Sequence, residues 1–227
     1  MNHYEIAGLR VSMAVSGRTL EQAAAYAAPA VGTPDIILSD NSDWILNKYP
    51  QLGDLDTAQY IGTGVSFARA LMEHDGFQLH ASSVILDGKA YLFSAYSGTG
   101  KSTHTEKWVR LFGARYLNDD KPALRLIDGI WTAYGTPWSG KHDISSPEGA
   151  PVGAVVFLER GDENRILPIQ PAKAVPFLLA QISRVHPRAH TERMLELADS
   201  FLRSVPVWVL TCRNDDEAAY VCHNAIV

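Results

Sequence analysis

The chain has 227 residues, 46% of them apolar, enough to bury a sizeable core in one large domain or two small ones. A formal net charge of −5 and the absence of a Lys/Arg run argue against nucleic acid as a partner. No uncharged apolar stretch is long enough to span a membrane, the start MNHYEIAGLRVSMAV lacks a secretion signal, and two cysteines are too few for a disulfide framework or a zinc site; a cytoplasmic protein with buried thiols at Cys212 and Cys222 is expected.

The first third reads as β-rich. Tyr4 to Val15 alternates loosely, Asp35 to Leu38 is a short apolar run, and Gly, Pro, Asn and Asp punctuate the gaps. Leu20 to Ala28 is an Ala-rich helical stretch that Pro29 stops, and Val65 to Glu73 has helical spacing before the turn His74-Asp75-Gly76. "LHASSVILDGKAYLF" is two apolar strands around Asp87-Gly88, a dipeptide suited to a tight antiparallel hairpin because both residues tolerate positive φ. The second strand runs straight into a glycine loop. A hairpin at that place, where most nucleotide folds interpose a helix, implies a mixed sheet.

Beyond the loop, Ser102 to Phe112 is predicted helical with Gly113 as its stop. Arg115 to Asn118 is a strand ending in Asp119-Asp120, and "ALRLIDGIWTAYG" is a second Asp-Gly hairpin. Strands follow at Gly153 to Leu158 and Arg165 to Ile169, joined by "LERGDENR", which reads as a solvated hairpin turn. The end reads as helix (Ala172 to Arg184), helix (Thr191 to Arg203), strand (Val207 to Thr211) and helix (Asp215 to Ala225). With no repeat or linker, residues 1–227 are expected to form one domain, 1–75 its β-rich part and 76–227 its core.

The segment from Ala95 to Ser102 fits G-x-x-x-x-G-K-[ST] at every position but the first. Ala95 falls at the hinge from strand to loop, where a methyl group does no harm if φ is negative. Backbone amides from Ser97 through Gly98, Thr99, Gly100, Lys101, Ser102 and Thr103 are placed to wrap phosphates, and the following helix aims its positive end at the same charge. Lys101 then supplies a mobile cation, and the Ser102 hydroxyl a ligand for Mg²⁺.

Asp119-Asp120 closes the strand after the loop's helix, at the sheet edge where ligands gather. Phosphoryl transfer needs one carboxylate toward Mg²⁺, and another can accept the proton of an attacking hydroxyl. His80 precedes the hairpin and can face the same edge, although a lone histidine is more often a structural hydrogen-bonder. Lys141, in "GTPWSGKHD", is a second cation over the phosphate or a solvated surface lysine. Trp138 reads as an anchor of that loop, and His142 and Asp143 as surface polar groups. The other histidines lack metal-ligand spacing; His186 and His190 are four apart, but Pro187 lies between them.

"LHASSVILDGKAYLFS", "YSGTGKST" and "ARYLNDDKPALRL", in that order, resemble the HPr kinase/phosphorylase family, which is related to the ATP-dependent phosphoenolpyruvate carboxykinases. The resemblance implies an α/β fold with a mixed β-sheet, ATP and Mg²⁺ as cofactors, and a homo-oligomer. Carried over residue by residue, it implies His80 as the histidine that orients or charges the acidic pair, Lys101 on the phosphates, Ser102 and Asp120 on Mg²⁺, and Asp119 as general base. The chain is similar also to short HPr-kinase-like proteins of bacterial peptide-modification clusters, some of which phosphorylate a serine of a lasso-type precursor peptide. It lacks a counterpart of the E-I-R-G-L-G segment of the true HPr kinases.

The expected function is a serine-kinase-like phosphotransferase acting on a small protein or peptide, with Lys101, Mg²⁺ and Lys141 stabilising the charge in flight. The alternatives are a nucleotide-sensing module without an acceptor, and a small-metabolite kinase or carboxykinase-like lyase.

Overall fold

The structure is a computed structural model that describes residues 1–182 and 190–227; the predicted end of one helix, at Arg184, and the predicted His186 fall outside the described residues. It is a mixed α/β protein. Strands β1 (Asn2–Ile6) and β2 (Leu9–Met13) form a hairpin around Ala7 and Gly8, both at positive φ, and β3 (Ile36–Leu38) adds in parallel to β2. The single alternating stretch expected at Tyr4 to Val15 is therefore two paired strands.

The β-rich reading of residues 1–75 is corrected by three helices that hold more of this part than its strands do: α1 (Gly17–Ala23), α2 (Ser42–Lys48) and α3 (Leu55–Ala70). Helix α3 begins where the Asp54 carboxylate accepts from the Thr57 amide at 2.7 Å, satisfying one of the free amides of its first turn. Its glycines disguised it in the sequence. A Cβ on Gly62 would stand 2.0 Å from the Asp40 carbonyl oxygen, and one on Gly64 would stand 2.8 Å from the Trp138 ring. Both residues are glycine because a neighbour comes that close, at a cost in helix propensity of about 1 kcal/mol each.

The main sheet runs β4 (Gly76–Gln78), β8 (Ala123–Ile127), β9 (Ile130–Tyr134), β10 (Gly149–Arg160), β6 (Lys89–Ser94), β5 (Ala81–Leu86), β7 (Arg115–Asn118). The long β10 pairs antiparallel with β9 through its first residues, then parallel with β6. Both Asp-Gly hairpins form as expected, with Asp87, Gly88, Asp128 and Gly129 all at positive φ.

Strand β12 (Val207–Cys212) inserts parallel to the second half of β10, and β11 (Arg165–Pro168) pairs antiparallel with β12. "LERGDENR" is therefore no hairpin turn. The more apolar β12 takes the inner place beside β10, and β11 is left at the rim. Helices α5 (Pro171–Gln181) and α6 (Thr191–Ser204) make the crossover, and α7 (Asp216–Ile226) closes the chain. Among the described residues no helix is long and apolar enough to cross a membrane.

Strand directions set the site. β6, β10 and β12 run parallel, and β7 is antiparallel to β5, itself antiparallel to β6, so the carboxyl ends of all four lie on one edge. Helix α4 (Lys101–Phe112) returns from that edge and ends at Gly113, φ +69°. It is fastened by the fully buried Trp108, whose ring centroid lies 5.2 Å from that of Tyr91 and 5.1 Å from that of Phe93. Truncating Trp108 to alanine would cost about 3–5 kcal/mol.

Candidate active site

The glycine loop leaves β6 at Ser94 and enters α4 at Lys101. Ala95 is buried and has no positive φ, so the departure from glycine costs nothing, and its carbonyl accepts from Lys101 Nζ at 3.0 Å. Gly98 and Gly100 sit at φ +79° and +122°, and a Cβ on either would meet no protein atom within 4 Å. Glycine is needed there for backbone conformation, and the space in front of it is open to a ligand. The first backbone bond of α4 runs from His104 N–H to the Gly100 carbonyl, which leaves the amides of residues 101–103 without intrahelical partners at the positive end of the helix.

Beside this loop is a cavity of about 510 Å³ lined by His80, Lys101, Ser102, Asp119, Asp120 and Lys141 together with Ser97, Gly98, Gly100 and Thr103. The structure thus brings together the residues predicted from sequence, except Thr99, which faces two neighbouring cavities and donates its amide to the Tyr96 carbonyl at 3.2 Å. Lys101 is only 8% exposed and turns inward, its Nζ 3.1 Å from His80 Nε2. Burial lowers its pKa, partly offset by the charge of Asp120.

The acidic pair is aimed by Asn118, the fully buried last residue of β7. Its Oδ1 accepts the amides of Asp120 and Lys121 at 2.9 and 2.6 Å, and its Nδ2 donates to the Thr136 carbonyl at 3.0 Å. The two carboxylates end in different surroundings. Asp119 is 5% exposed; Oδ1 accepts the Gly140 amide at 2.5 Å and Oδ2 the His142 amide at 3.3 Å. Burial pushes its pKa above the ordinary carboxylate value, and the two amides only partly oppose this. Asp120 Oδ1 lies 3.2 Å from His80 Nε2. Burial raises Asp120 too, but the hydrogen bond from His80 and the charges of Lys121, His80 and Lys101 outweigh it, and its pKa is lowered.

Lys141 is exposed on a loop held by the N-terminal helices. The Tyr60 hydroxyl of α3 accepts the Ser139 amide at 2.6 Å, Trp138 Nε1 donates to Thr63 Oγ1 at 3.1 Å, and Trp138 stacks on Phe67 at 4.8 Å. Arg18 of α1 lies over the Tyr60 ring and pairs with Asp143 at 2.7 Å. Trp138 is thus the loop anchor expected of it, and Asp143 has a specific partner.

Four contributors were not singled out from sequence. Gln181 ends the apolar run "PFLLAQ", and a buried glutamine there is the only signal it gives; its Oε1 lies 2.9 Å from His80 Nδ1. Arg160, hidden in the charged run, donates to the Gly98 carbonyl. Asn118 looked like the end of a strand, and Gly140 like an ordinary loop glycine. Cys222 is buried as expected, but Cys212 is only half-buried.

The donor set fits Mg²⁺ carried on phosphates: Ser102 and Asp120 line one cavity, and that ion takes one or two protein oxygens with phosphates and waters completing its octahedron. Among the described residues, no group of three or more His, Cys, Asp or Glu is placed to hold a metal by itself.

Fold and site together define a mixed-sheet α/β protein in which a glycine loop and an acidic pair share one carboxyl edge. Compared with known proteins, no family model and no curated sequence matches this chain. Among solved structures, the Hpr(Ser) kinase/phosphatase from Coxiella burnetii is similar with a TM-score of 0.39 and 11% identity, over 65% of this chain and 95% of that one.

Proposed function

We propose that the protein is an ATP- and Mg²⁺-dependent phosphotransferase that moves the γ-phosphoryl group to a hydroxyl, a serine of a small protein or peptide. The observation that carries this reading is the inward-facing Lys101, at one wall of a cavity that it shares with the open glycine loop and both aspartates.

The contrast between the carboxylates supports their division of labour. Asp119, raised by burial, is the better proton acceptor, and its Oδ2, with one long contact, has a lone pair for an incoming hydroxyl. Asp120, held ionised by its cationic neighbours, suits a cation. Lys101 leaves the Ala95 carbonyl for a phosphate oxygen, and the amides of Gly98 and of residues 100–102 orient the chain of phosphates. Lys141, free to reach across the cavity mouth, adds positive charge where the transferred group passes. Mg²⁺, when bound, neutralises charge on the β- and γ-oxygens.

Incubation with γ-labelled ATP and serine-containing peptides tests the reading. Asp119→Asn is expected to bind ATP nearly normally and to transfer nothing, whereas Lys101→Met loses binding. Tight ATP binding with no phosphorylated product from any acceptor would favour the sensing module, and release of CO₂ from oxaloacetate with ATP would favour the lyase.

A further inference from the structure

A small cavity of about 70 Å³ lies between α3, β4 and the start of the Lys141 loop. Whole small molecules occupy roughly 300–1,000 Å³, so this space admits a single functional group on a short stem. Gln78, the last residue of β4, lines it at 2% exposure, and the Gln78 Nε2 has no hydrogen-bond partner among the described residues. A buried polar group left in that state costs about 1–3 kcal/mol, and folded proteins hold few of them unanswered. The last side-chain torsion of a glutamine is soft, so either end of the carboxamide can turn to the cavity.

Lys121 lines the same cavity. Its ion pair with Asp120 is loose, Nζ to Oδ2 being 3.9 Å, because Asp120 turns its other oxygen to His80 at 3.2 Å. None of the side chains lining the cavity is acidic, and Asp143, beyond Ser139, is held by Arg18. The Tyr60 hydroxyl is engaged with the backbone of residues 137 and 139. An amide donor and a cation thus face a space otherwise walled by Ile61, Val65, Ala68 and Trp138. That combination suits a carboxylate on an aliphatic stem. The methylenes lie on the apolar wall, and the oxygens meet the Gln78 amide and the Lys121 ammonium.

Resting on the phosphotransferase reading above, we propose that this cavity anchors an acidic side chain of the acceptor, a glutamate close in sequence to the phosphorylated serine. Lys121 directly follows Asp120, and Ser139 directly precedes Gly140, whose amide holds Asp119 at 2.5 Å. With about 3.8 Å between successive Cα atoms, the Cα of Lys121 is within about 7.6 Å of that of Asp119. An extended peptide advances about 3.3 Å per residue, which sets the glutamate roughly two or three residues from the serine.

Two measurements on the full chain test the anchor. In the first, glutamate and glutamine, each blocked by acetyl and methylamide groups, are titrated while the indole N–H resonance of Trp138 is followed. Blocked glutamate is expected to bind about tenfold or more tightly than blocked glutamine, the worth of one charged hydrogen bond. Gln78→Leu is expected to abolish that preference without lowering thermal stability, since it removes an unanswered amide. Equal binding of the two probes, binding of neither, or an undiminished preference in Gln78→Leu overturns the site and leaves the cavity to water. In the second, serine peptides carrying glutamate or glutamine two or three residues to either side are incubated with γ-labelled ATP and Mg²⁺. One glutamate placement is expected to raise kcat/KM about tenfold over its glutamine counterpart. If blocked glutamate binds but every such pair is phosphorylated equally, the acceptor role is overturned and the cavity takes a free acid only. If blocked glutamate binds and no peptide is phosphorylated at all, the phosphotransferase reading falls with the acceptor role, and the carboxylate site stands.

Discussion

Gln181 grips His80 twice: its side-chain Oε1 lies 2.9 Å from the imidazole Nδ1, and its backbone carbonyl accepts the His80 amide at 2.9 Å. The first contact puts a proton on Nδ1. The opposite nitrogen, Nε2, has either one lone pair or one proton to offer, and it faces both Lys101 Nζ at 3.1 Å and Asp120 Oδ1 at 3.2 Å. Contact with Lys101 belongs to the neutral ring and contact with Asp120 to the protonated one. Gln181 is thus a positioning residue, acting on the acidic pair through His80.

Gln181→Leu is expected to lower kcat about fivefold, the worth of one hydrogen bond, with KM for ATP unchanged. Gln181→Glu restores an acceptor for Nδ1 and is expected to recover most of the lost kcat. Equal kcat for Gln181→Leu and the wild type, or a loss in Gln181→Glu as large as in Gln181→Leu, would rule the role out.

Gly140 has no positive φ, so its substitution tests close approach alone. A Cβ there would stand 3.0 Å from Asp119 Oδ2, the oxygen assigned to the incoming hydroxyl. Gly140→Ala is expected to slow transfer about tenfold, a barrier increase of about 1.4 kcal/mol, while ATP affinity holds within about twofold. A variant with full activity would place the reacting oxygen elsewhere.

Asp119 leaves a mark on stability as well. A carboxyl whose folded pKa is raised above its ordinary 3.8 contributes stability that is fully present below that value and lost as pH climbs through the folded pKa. The wild type should therefore lose ground to Asp119→Asn as pH rises from about 4 toward 7, the gap levelling off once Asp119 is ionised. Urea unfolding across that range measures it, and a constant gap contradicts the assigned shift.

The glycines separate into two kinds. Gly62→Ala forces a methyl group against the Asp40 carbonyl and is expected to cost about 2–3 kcal/mol in thermal unfolding. Gly98→Ala meets no atom and pays only for its positive φ, about 1–2 kcal/mol, yet it should abolish ATP binding. Normal binding by folded Gly98→Ala would speak against the loop as the phosphate cradle.

Local chemistry made much of the half that carries the glycine loop legible. Asp87-Gly88 and Asp128-Gly129 set their hairpins, Gly113 stops α4, and the spacing of Gly98, Gly100 and Lys101 gives the loop. What depended on distant partners stayed hidden. Gly62 and Gly64 weaken the helical signal of α3 because Asp40 and Trp138 require them, and β11 pairs across β12, which lies far along the chain. Gln181 and Arg160 reach the site only through the sheet's closure, and nothing local to either residue foretells that.

The anchoring of the Lys141 loop has a practical consequence. Residues 1–75 contribute no side chain to the cavity of Lys101 and the acidic pair, yet Arg18, Tyr60 and Thr63 are the footing on which residues 138–143 stand. A minimal fragment begun at Gly76 would keep the glycine loop and both aspartates and lose the ground beneath Lys141 and the Gly140 amide. Any ligand or engineered graft that tilts α1 or α3 would accordingly be felt at Asp119, giving the amino-terminal third leverage over chemistry it never touches.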